Sequence, residues 1–404
     1  MNKVLLVDYD FKITNSASGQ IARVFWNANS KLFDTSVICA KGDVESDNNC
    51  TIIEVADKAS IRHFFGLLRE FGLPDLCHMP DQKRFSWQPF VMRKAKKVIM
   101  KEQFDIIHSI SCPETAHLIA YKLKCLTGLP WIAQFNDPWV ENEIKKFRFS
   151  SFRKRDLKLE RLVAENADII IHSNKVIVNS WKERYGENII NKIKIFPLSF
   201  NIPNLPLVKH NESPDSTKYK ISIYHIGHLY GARSARTFFM GLASLFESNP
   251  EYISRIEVSF IGSLSEEDKK LAEKLCLNNN INYLGVMPPD KLLDFYNNAD
   301  VFLVIDMEVP ESPSFPSKLL LYHYFRKPIL SITTEKSIIE DDMIVSGHHY
   351  YYYGDVEGVA GYLKRAIEDY PSLLKFDHNH WKEYTVENVT NLYLKELNNL
   401  LLDK

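Results

Sequence analysis

Arginine and lysine occur in two stretches that could hold a phosphate group. In YHIGHLYGARSARTFFM, a short apolar strand ends at Gly227, and Arg233 and Arg236 follow in the loop before a helix. A strand, a glycine-bearing loop and a helix N-terminus direct free backbone N–H groups at one point, and arginine adds bidentate donors. The stretch therefore indicates an anion cradle. A surface loop with solvated arginines is the alternative.

Lys318 is the second basic residue of interest, in SFPSKLLLYHYFRKPILSI. Pro316 fits the first turn of a helix and places Ser317 and Lys318 in its early turns. A cation at this end of a helix is unfavourable to the dipole, unless a diphosphate occupies the space between them. A lysine that reaches solvent from a buried helix is the alternative. Because both stretches follow strands of one domain, we expect Arg233 and Lys318 to converge on one pocket for a pyrophosphate.

The composition is that of a large globular protein with balanced charge. The chain has 404 residues, of which 45% are hydrophobic and 25% charged, and its formal net charge is -1. The length predicts two domains of roughly 150–200 residues, and the balanced charge offers no field for nucleic acid. The six cysteines form no Cys-x-x-Cys pair, which argues against a disulfide framework or a zinc site. No apolar run reaches the roughly 20 residues of a membrane span, so we expect a cytoplasmic protein, or one peripheral to the inner face of the membrane.

Short strands rich in Val and Ile alternate with helical segments in both halves of the chain. KVLLVDY, FDIIHSI and LPWIAQF are examples from the first half, and IEVSFIG, DVFLVID and KPILSIT from the second. This alternation predicts an α/β protein with two doubly wound, Rossmann-like parallel sheets. We place the domains at 1–200 and 220–384, with a linker rich in Pro, Asn and Ser at 201–219. An amphipathic helix at 385–404 can pack back towards the N-terminal domain.

Several segments resemble GT-B glycosyltransferases of the large retaining family four. HLYGAR (228–233), INYLGVMPPDKLLDFYNNADVFLVI (281–305) and FPSKLLLYHYFRKPIL (315–330) are similar to the donor domain of that family. Residues 104–139, which end in Asp-Pro-Trp, resemble its acceptor domain. The resemblance covers most of the chain. It implies GT-B architecture, with two domains facing across a cleft, and a UDP- or GDP-linked sugar as donor, without a further cofactor or a metal.

The resemblance also implies which residues of the second domain bind the donor. Arg233, Lys318 and Ser317 correspond to the family's diphosphate-binding positions, and Arg236 can assist. The backbone groups of the loop after the third strand hold the nucleotide base, which here points to Gly285 and Val286.

The sequence departs from the family at its pair of glutamates. With Lys327 and Pro328 aligned to the family's Gly-Lys-Pro, these glutamates fall on Pro313 and Leu321. Leu321 cannot hold ribose hydroxyls, and only Glu311 or Glu308, slightly out of register, can stand in for the glutamate that addresses the sugar. The departure leaves the nucleotide open and admits reduced or lost activity.

Two further site residues are expected in the N-terminal half. Many relatives carry a histidine that touches the donor sugar, and DIIHSIS offers His108 for this role. A buried histidine bonded to backbone at a strand end is an equally good interpretation. Gly19 lies where the family has a glycine-rich turn close to donor and acceptor, and it would permit close backbone approach.

Two stretches of the N-terminal half mix basic and aromatic residues, at 83–101 and 144–158. Cations beside aromatic rings suit an anionic membrane surface, where each basic residue adds about 1 kcal/mol. Two solvated helix faces whose aromatic residues pack inward are the alternative.

These observations predict a metal-independent, retaining glycosyltransferase that moves a sugar to a glycan or lipid-linked acceptor in surface polysaccharide synthesis. Two other functions fit the same fold. A nucleotide-sugar 2-epimerase would need acid and base carboxylates and no acceptor, and a degenerate nucleotide-sugar-binding protein would bind its ligand without turnover.

Overall fold

The structure is a computed structural model that describes residues 1–14, 16–44, 49–58, 60, 83–141, 150–200 and 220–402. The chain divides into two compact units. The first unit comprises Met1–Pro203 and Glu383–Lys404, and the second comprises Asn204–Lys382. The predicted linker at 201–219 lies outside the described residues.

The first unit is built on a parallel sheet that has seven described strands, in the order β3-β2-β1-β4-β5-β6-β7. Their bounds are β1 Asn2–Asp8, β2 Phe33–Ala40, β3 Thr51–Val55, β4 Ile106–Ser111, β5 Trp131–Phe135, β6 Ile169–His172 and β7 Ile193–Ile195. Every residue of β4 is buried, as expected for a central strand covered on both faces.

Helices cover both faces of this sheet. They are α1 Ala17–Ala28, α2 Lys83–Ser86, α3 Gln88–Ile99, α4 Thr115–Thr127, α5 Ser150–Asn166, α6 Lys175–Tyr185, α7 Glu187–Ile190 and a C-terminal helix, Val386–Leu402. A short 3-10 helix spans Tyr9–Lys12. Local signals set their ends: the Ser16 side chain accepts from the Gly19 N–H and caps α1, and Gly128 ends α4 in the left-handed conformation.

The second unit is also a parallel sheet, whose six described strands have the order β10-β9-β8-β11-β12-β13. The strands are β8 Ile221–Ile226, β9 Ile256–Ile261, β10 Ile281–Gly285, β11 Val301–Ile305, β12 Ile329–Thr333 and β13 His349–Tyr352. The helices are α8 Arg236–Ser248, α9 Glu266–Lys274, α10 Pro289–Asn298, α11 Lys318–Phe325, α12 Ile338–Ser346 and α13 Val356–Glu368. Further 3-10 segments span Pro250–Arg255, Tyr370–Leu374 and His380–Tyr384. The prediction of two doubly wound parallel sheets is confirmed.

The strand order places the loops that lead to Arg233 and Lys318 at the switch point of the second sheet. The chain runs from β8 outward through β9 to β10, and then returns to place β11 on the other side of β8. Ligands of doubly wound sheets bind where the order reverses, beyond the carboxyl ends of the strands. The loop that leaves β8 carries Arg233, and the loop that leaves β11 leads to Lys318.

Backbone hydrogen bonds between glycines and neighbouring strands join the carboxyl ends of β8, β9 and β10, and Gly262 makes a close backbone contact there. The Gly227 N–H donates to Ile261 O at 2.7 Å, and the Gly262 N–H donates to Gly285 O at 2.8 Å. Gly262 has a φ of +129°, and a Cβ there would lie 2.2 Å from Gly227 O. Since no side chain tolerates that distance, Gly262 is required for β8 and β9 to end side by side.

We predict that Gly262→Ala destabilises the protein more than Gly354→Ala. Both glycines have positive φ, but a Cβ at Gly354 meets nothing within 4 Å. Gly354→Ala should therefore cost only the backbone term of about 1–2 kcal/mol, whereas Gly262→Ala should cost on the order of 2–4 kcal/mol because it adds a steric clash. Urea unfolding of both variants measures this, and equal losses would show that the glycine contact is not tight.

Candidate functional site

The amine of Lys318 lies directly over the end of β8. A Cβ placed on Gly227 would be 3.5 Å from Lys318 Nζ, an ordinary van der Waals distance, so the amine packs against the backbone of Gly227. Helix α11 begins at Lys318, slightly later than the sequence suggested. The preceding turn is tighter than an α-helix, because Pro316 O and Ser317 O accept from Leu319 and Leu320 three residues ahead. Ser317 is exposed.

A buried histidine of β8, which sequence reasoning missed, holds this amine. His225 Nε2 lies 2.9 Å from Lys318 Nζ, and His225 Nδ1 lies 3.0 Å from Leu303 O. A carbonyl oxygen only accepts, so Nδ1 carries the hydrogen and the Nε2 lone pair accepts from the ammonium group. Burial, reinforced by the charge of Lys318, lowers the pKa of His225 well below its usual value, which keeps the ring neutral.

Arg233 contributes the second positive charge of the site. Its side chain is half-buried, with the guanidinium carbon 5.0 Å from the centre of the Tyr230 ring. Burial and then the charge of Arg233 lower the pKa of Lys318 to about 7, against a smaller opposing effect of Asp306. The structure thus brings Arg233 and Lys318 close enough to repel each other. A desolvated amine beside a second, half-buried cation is suited to bind a polyanion.

Asp306, fully buried at the end of β11, organises the loop that leads to Lys318. One carboxylate oxygen accepts from the Met307 N–H at 2.7 Å and from Ser312 Oγ at 2.6 Å. The other accepts from Thr333 Oγ1 at 2.9 Å and from Ser337 Oγ. Burial raises the pKa of Asp306 and these four donors oppose the rise. The carboxylate therefore serves mainly as an anchor of the loop.

The two glutamates of this loop differ in position. The Glu308 N–H donates to Ala232 O at 2.9 Å, which joins the loop after β11 to the loop that carries Arg233. Glu311, the residue predicted to address the sugar, is exposed and pairs with Lys336 at 3.1 Å. Of the two, Glu308 is the one that lies against the cationic loop.

The remaining predicted donor residues occupy the same edge of the sheet. Arg236 is exposed at the first position of α8. Gly285 has a φ of +67° and uses its carbonyl to accept from the Gly262 N–H. Val286 has 74% of its surface exposed. Val286 is thus accessible to a ligand, whereas the carbonyl of Gly285 is already engaged.

Gly19 and His108, the two site residues predicted in the first unit, both pack against other parts of that unit. A Cβ on Gly19 would lie 2.1 Å from Asp10 O, so its close backbone approach is to its own chain. His108 is buried, with Nδ1 3.0 Å from the Tyr393 hydroxyl and Nε2 3.1 Å from Gln134 Oε1. Burial lowers the pKa of His108 to about 3. The ring is a packed core histidine, bonded to side chains rather than to backbone.

The basic stretches present charge to solvent but bury part of their aromatic surface. In 83–101, Arg93, Lys96 and Lys97 are exposed, whereas Trp87 is 0% exposed and donates to Val55 O at 3.0 Å. In 144–158, residues 144–149 lie outside the described part, and Phe152 is buried in α5. Trp87 and Phe152 are therefore not free to enter a headgroup layer. No helix in the described ranges combines the length and apolar character that a bilayer crossing needs.

Among the described residues, one cluster has metal-ligand chemistry. The potential ligand atoms of His323, Asp342 and His380 lie within 4.8 Å of one another. The two histidine Nε2 atoms, however, lie 2.7 and 2.9 Å from the carboxylate oxygens, whereas ligand atoms around a zinc ion with bonds of about 2.0–2.1 Å lie about 3.3 Å apart. Burial opposes ionisation of Asp342, yet the histidines hold its pKa well below the usual value. We assign a hydrogen-bonded triad, which the sequence did not reveal because its members are far apart along the chain.

Comparison with known proteins agrees with this fold. Residues 34–199 match the model of Glycosyltransferase Family 4. The structure resembles sucrose-phosphate synthase of Thermosynechococcus elongatus, with a TM-score of 0.68 and 13% identity over 100% of both chains. It also resembles Anabaena Alr3699/HepE in complex with UDP, with a TM-score of 0.68 and 14% identity over 99% of this chain and 100% of that chain.

A third similar structure is a putative UDP-N-acetylglucosamine 2-epimerase from Listeria monocytogenes, with a TM-score of 0.57 and 12% identity over 100% of this chain and 97% of that chain. No curated protein sequence matches the chain. The family match and the two doubly wound units confirm the resemblance to GT-B glycosyltransferases of family four. They support sugar transfer in general.

We predict that Lys318→Met stabilises the ligand-free protein, and more so at pH 6 than at pH 9. An unfolded lysine keeps its pKa of 10.5, whereas the folded value is about 7. Below pH 7 the folded protein carries the unfavourable charge in full. Between pH 7 and 10.5 it sheds the proton, so wild-type stability rises with pH. Urea unfolding at both values measures the difference.

Lys274→Met is the control for this prediction, because Lys274 is exposed on α9. It should change stability little at either pH. A gain for Lys318→Met that is the same at pH 6 and pH 9 would contradict the low pKa of Lys318.

Proposed function

We propose that the protein is a glycosyltransferase that uses a nucleotide-diphosphate sugar, and that its second unit binds the donor. The observation that carries this proposal is the Lys318 amine against Gly227 at the switch point of the sheet, with Arg233 near enough for its charge to lower the pKa of Lys318. Two neighbouring cations, with the Asp306 carboxylate engaged by four other donors, favour a ligand with more than one negative charge. A nucleoside diphosphate meets this requirement. UDP is a reasonable first ligand, since a similar structure is a complex with UDP.

Charge stabilisation is the main catalytic contribution that we assign to the site. When the bond between the sugar and the diphosphate breaks, negative charge grows on the leaving phosphate oxygens. Arg233 and Lys318, fixed before the reaction, stabilise that charge, and loss of one such donor costs on the order of 10²–10³-fold in rate. The two side chains thereby supply positive charge that a metal ion supplies in other transferases. We further propose retention of anomeric configuration, which rests on the family resemblance alone.

The acceptor is assigned by class only. We propose a glycan or lipid-linked acceptor of surface polysaccharide synthesis. Exposed Arg93, Lys96 and Lys97 on α3 support contact with an anionic membrane surface, although the contact would be electrostatic rather than aromatic.

Incubation with UDP-, GDP- and dTDP-linked sugars tests the function directly. A glycosyltransferase releases free nucleotide, by transfer or by slow hydrolysis. A 2-epimerase releases an epimerised sugar or donor without an acceptor, and a binding protein shows only thermal stabilisation. Absence of all three signals would refute the proposal.

Binding of a nucleotide sugar without turnover is a second possible function, because the family's two glutamates are missing or displaced in this chain. Leu321 has no acceptor for ribose hydroxyls, and Glu311 is paired with Lys336 at the surface. Stabilisation by a nucleotide sugar, with no nucleotide release over long incubation, would favour this function.

We predict that Lys318→Ala and Arg233→Ala each weaken nucleoside diphosphate binding by roughly tenfold or more, because each removes a charge-assisted hydrogen bond of about 1.5–3 kcal/mol. Binding of the corresponding nucleoside should change far less. Calorimetric titration with UDP against uridine, and GDP against guanosine, measures both. Lys274→Ala is the control, and equal losses for diphosphate and nucleoside would contradict the assignment.

A further inference from the structure

The buried imidazole of His225 is the feature from which we infer a role that the family resemblance did not assign. We propose that His225 is a positioning residue: as a neutral hydrogen-bond acceptor, it holds the Lys318 ammonium over Gly227 without cancelling its positive charge. This inference rests on the proposed function of the same site, since it concerns how the lysine is presented to a diphosphate.

The hydrogen bonds of His225 allow only one tautomer of the ring, with the hydrogen on Nδ1. Leu303 O, in the neighbouring strand β11, takes the Nδ1 hydrogen at 3.0 Å. Nε2 is therefore an acceptor, and Lys318 Nζ at 2.9 Å is its donor. The ring is 0% exposed and stands in the sheet itself, with the Phe260 ring centre 5.7 Å away. A ring fixed in this way determines the direction of the amine.

The charged groups around Lys318 explain why a neutral acceptor is useful. Arg233, in the loop after β8, repels the ammonium. Asp306, at the end of β11, attracts it but is engaged by four other donors. A carboxylate at position 225 would form an ion pair with Lys318 and would compete with a phosphate. An imidazole accepts one N–H of the ammonium and leaves the other two for the ligand.

Three substitutions of His225 distinguish loss of the acceptor from its replacement by a neutral or a charged oxygen. His225→Asn can keep the bond to Leu303 O but lacks an acceptor at the Nε2 position. His225→Gln can place a neutral oxygen near that position, and His225→Glu can place a charged one there. We expect UDP or GDP affinity to fall roughly tenfold for Asn, consistent with one lost hydrogen bond to a charged group. We expect a larger fall in this affinity for His225→Glu, and a fall within about threefold for His225→Gln.

Calorimetric titration with UDP and GDP, and with uridine and guanosine, measures these effects. The control is His348→Asn, which removes another buried imidazole of the unit, one that accepts from the Ile329 N–H at 3.3 Å. It should leave the ratio of diphosphate to nucleoside affinity unchanged, whatever it does to thermal stability. Wild-type affinity in the Asn and Glu variants would overturn the positioning role.

Proton uptake provides a measurement that a merely structural histidine would not change. Lys318 has a pKa of about 7 in the free protein, and a bound diphosphate should restore its proton. Titrations at pH 7 in buffers of different ionisation enthalpy should show uptake of about half a proton for wild type. The value should rise towards one for His225→Asn, because the ammonium then lacks its acceptor. The nucleotide's own proton contribution is common to both proteins, and an identical uptake would contradict the inference.

The tautomer of the wild-type ring tests the proposal even when a variant fails to fold. Nitrogen NMR of histidine-labelled full-length protein should show His225 neutral at pH 6.5, with its hydrogen on Nδ1. A hydrogen on Nε2 would overturn the proposal, because that nitrogen could not then accept from Lys318. If wild type binds neither UDP nor GDP while the Nδ1 tautomer is observed, the proposed function fails and the geometry of the Lys318 contact remains.

Discussion

The repulsion between two cations held close together is the interaction on which this account depends. Arg233 and Lys318 both follow strands at one edge of the second sheet, and burial together with the charge of Arg233 lowers the pKa of Lys318 to about 7. Like charges in a partly desolvated place are unfavourable, so other contacts of the fold must hold them there. A site of this kind stores unfavourable electrostatic energy that a diphosphate releases when it binds.

Strand order, a close glycine contact and hydrogen bonds around the two cations hold them in place. Strand β8 lies between β9 and β11, so the loops that follow β8 and β11 start next to each other. Gly262 lets the ends of β8 and β9 approach closely. His225 directs the amine of Lys318, and Asp306 anchors the loop before it through four donors. The backbone bond from Glu308 to Ala232 joins the two loops.

The sequence was sufficient for the fold, because its signals are local, and the same local pattern singled out Arg233 and Lys318 as candidates. Runs such as DVFLVID identify buried parallel strands, and the end of each strand identifies the edge where its loop lies. The hydrogen-bond partners could not be predicted in this way. His225 and Lys318 are 93 residues apart, and Asp306 and Ser337 are 31 residues apart, so their contacts depend on packing that no local pattern records. For His108 the sequence left a catalytic and a packed interpretation open, and the structure encloses the ring between Trp26 and Tyr393.

A crystal structure of the full chain with UDP or GDP, whichever binds, tests the central claim most directly. The account predicts that the two phosphates lie over Gly227, within hydrogen-bond distance of both the Lys318 amine and the Arg233 guanidinium, and that His225 keeps its contact with Lys318. A nucleotide whose phosphates lie elsewhere, with the two cations still facing each other over an empty space, would contradict it.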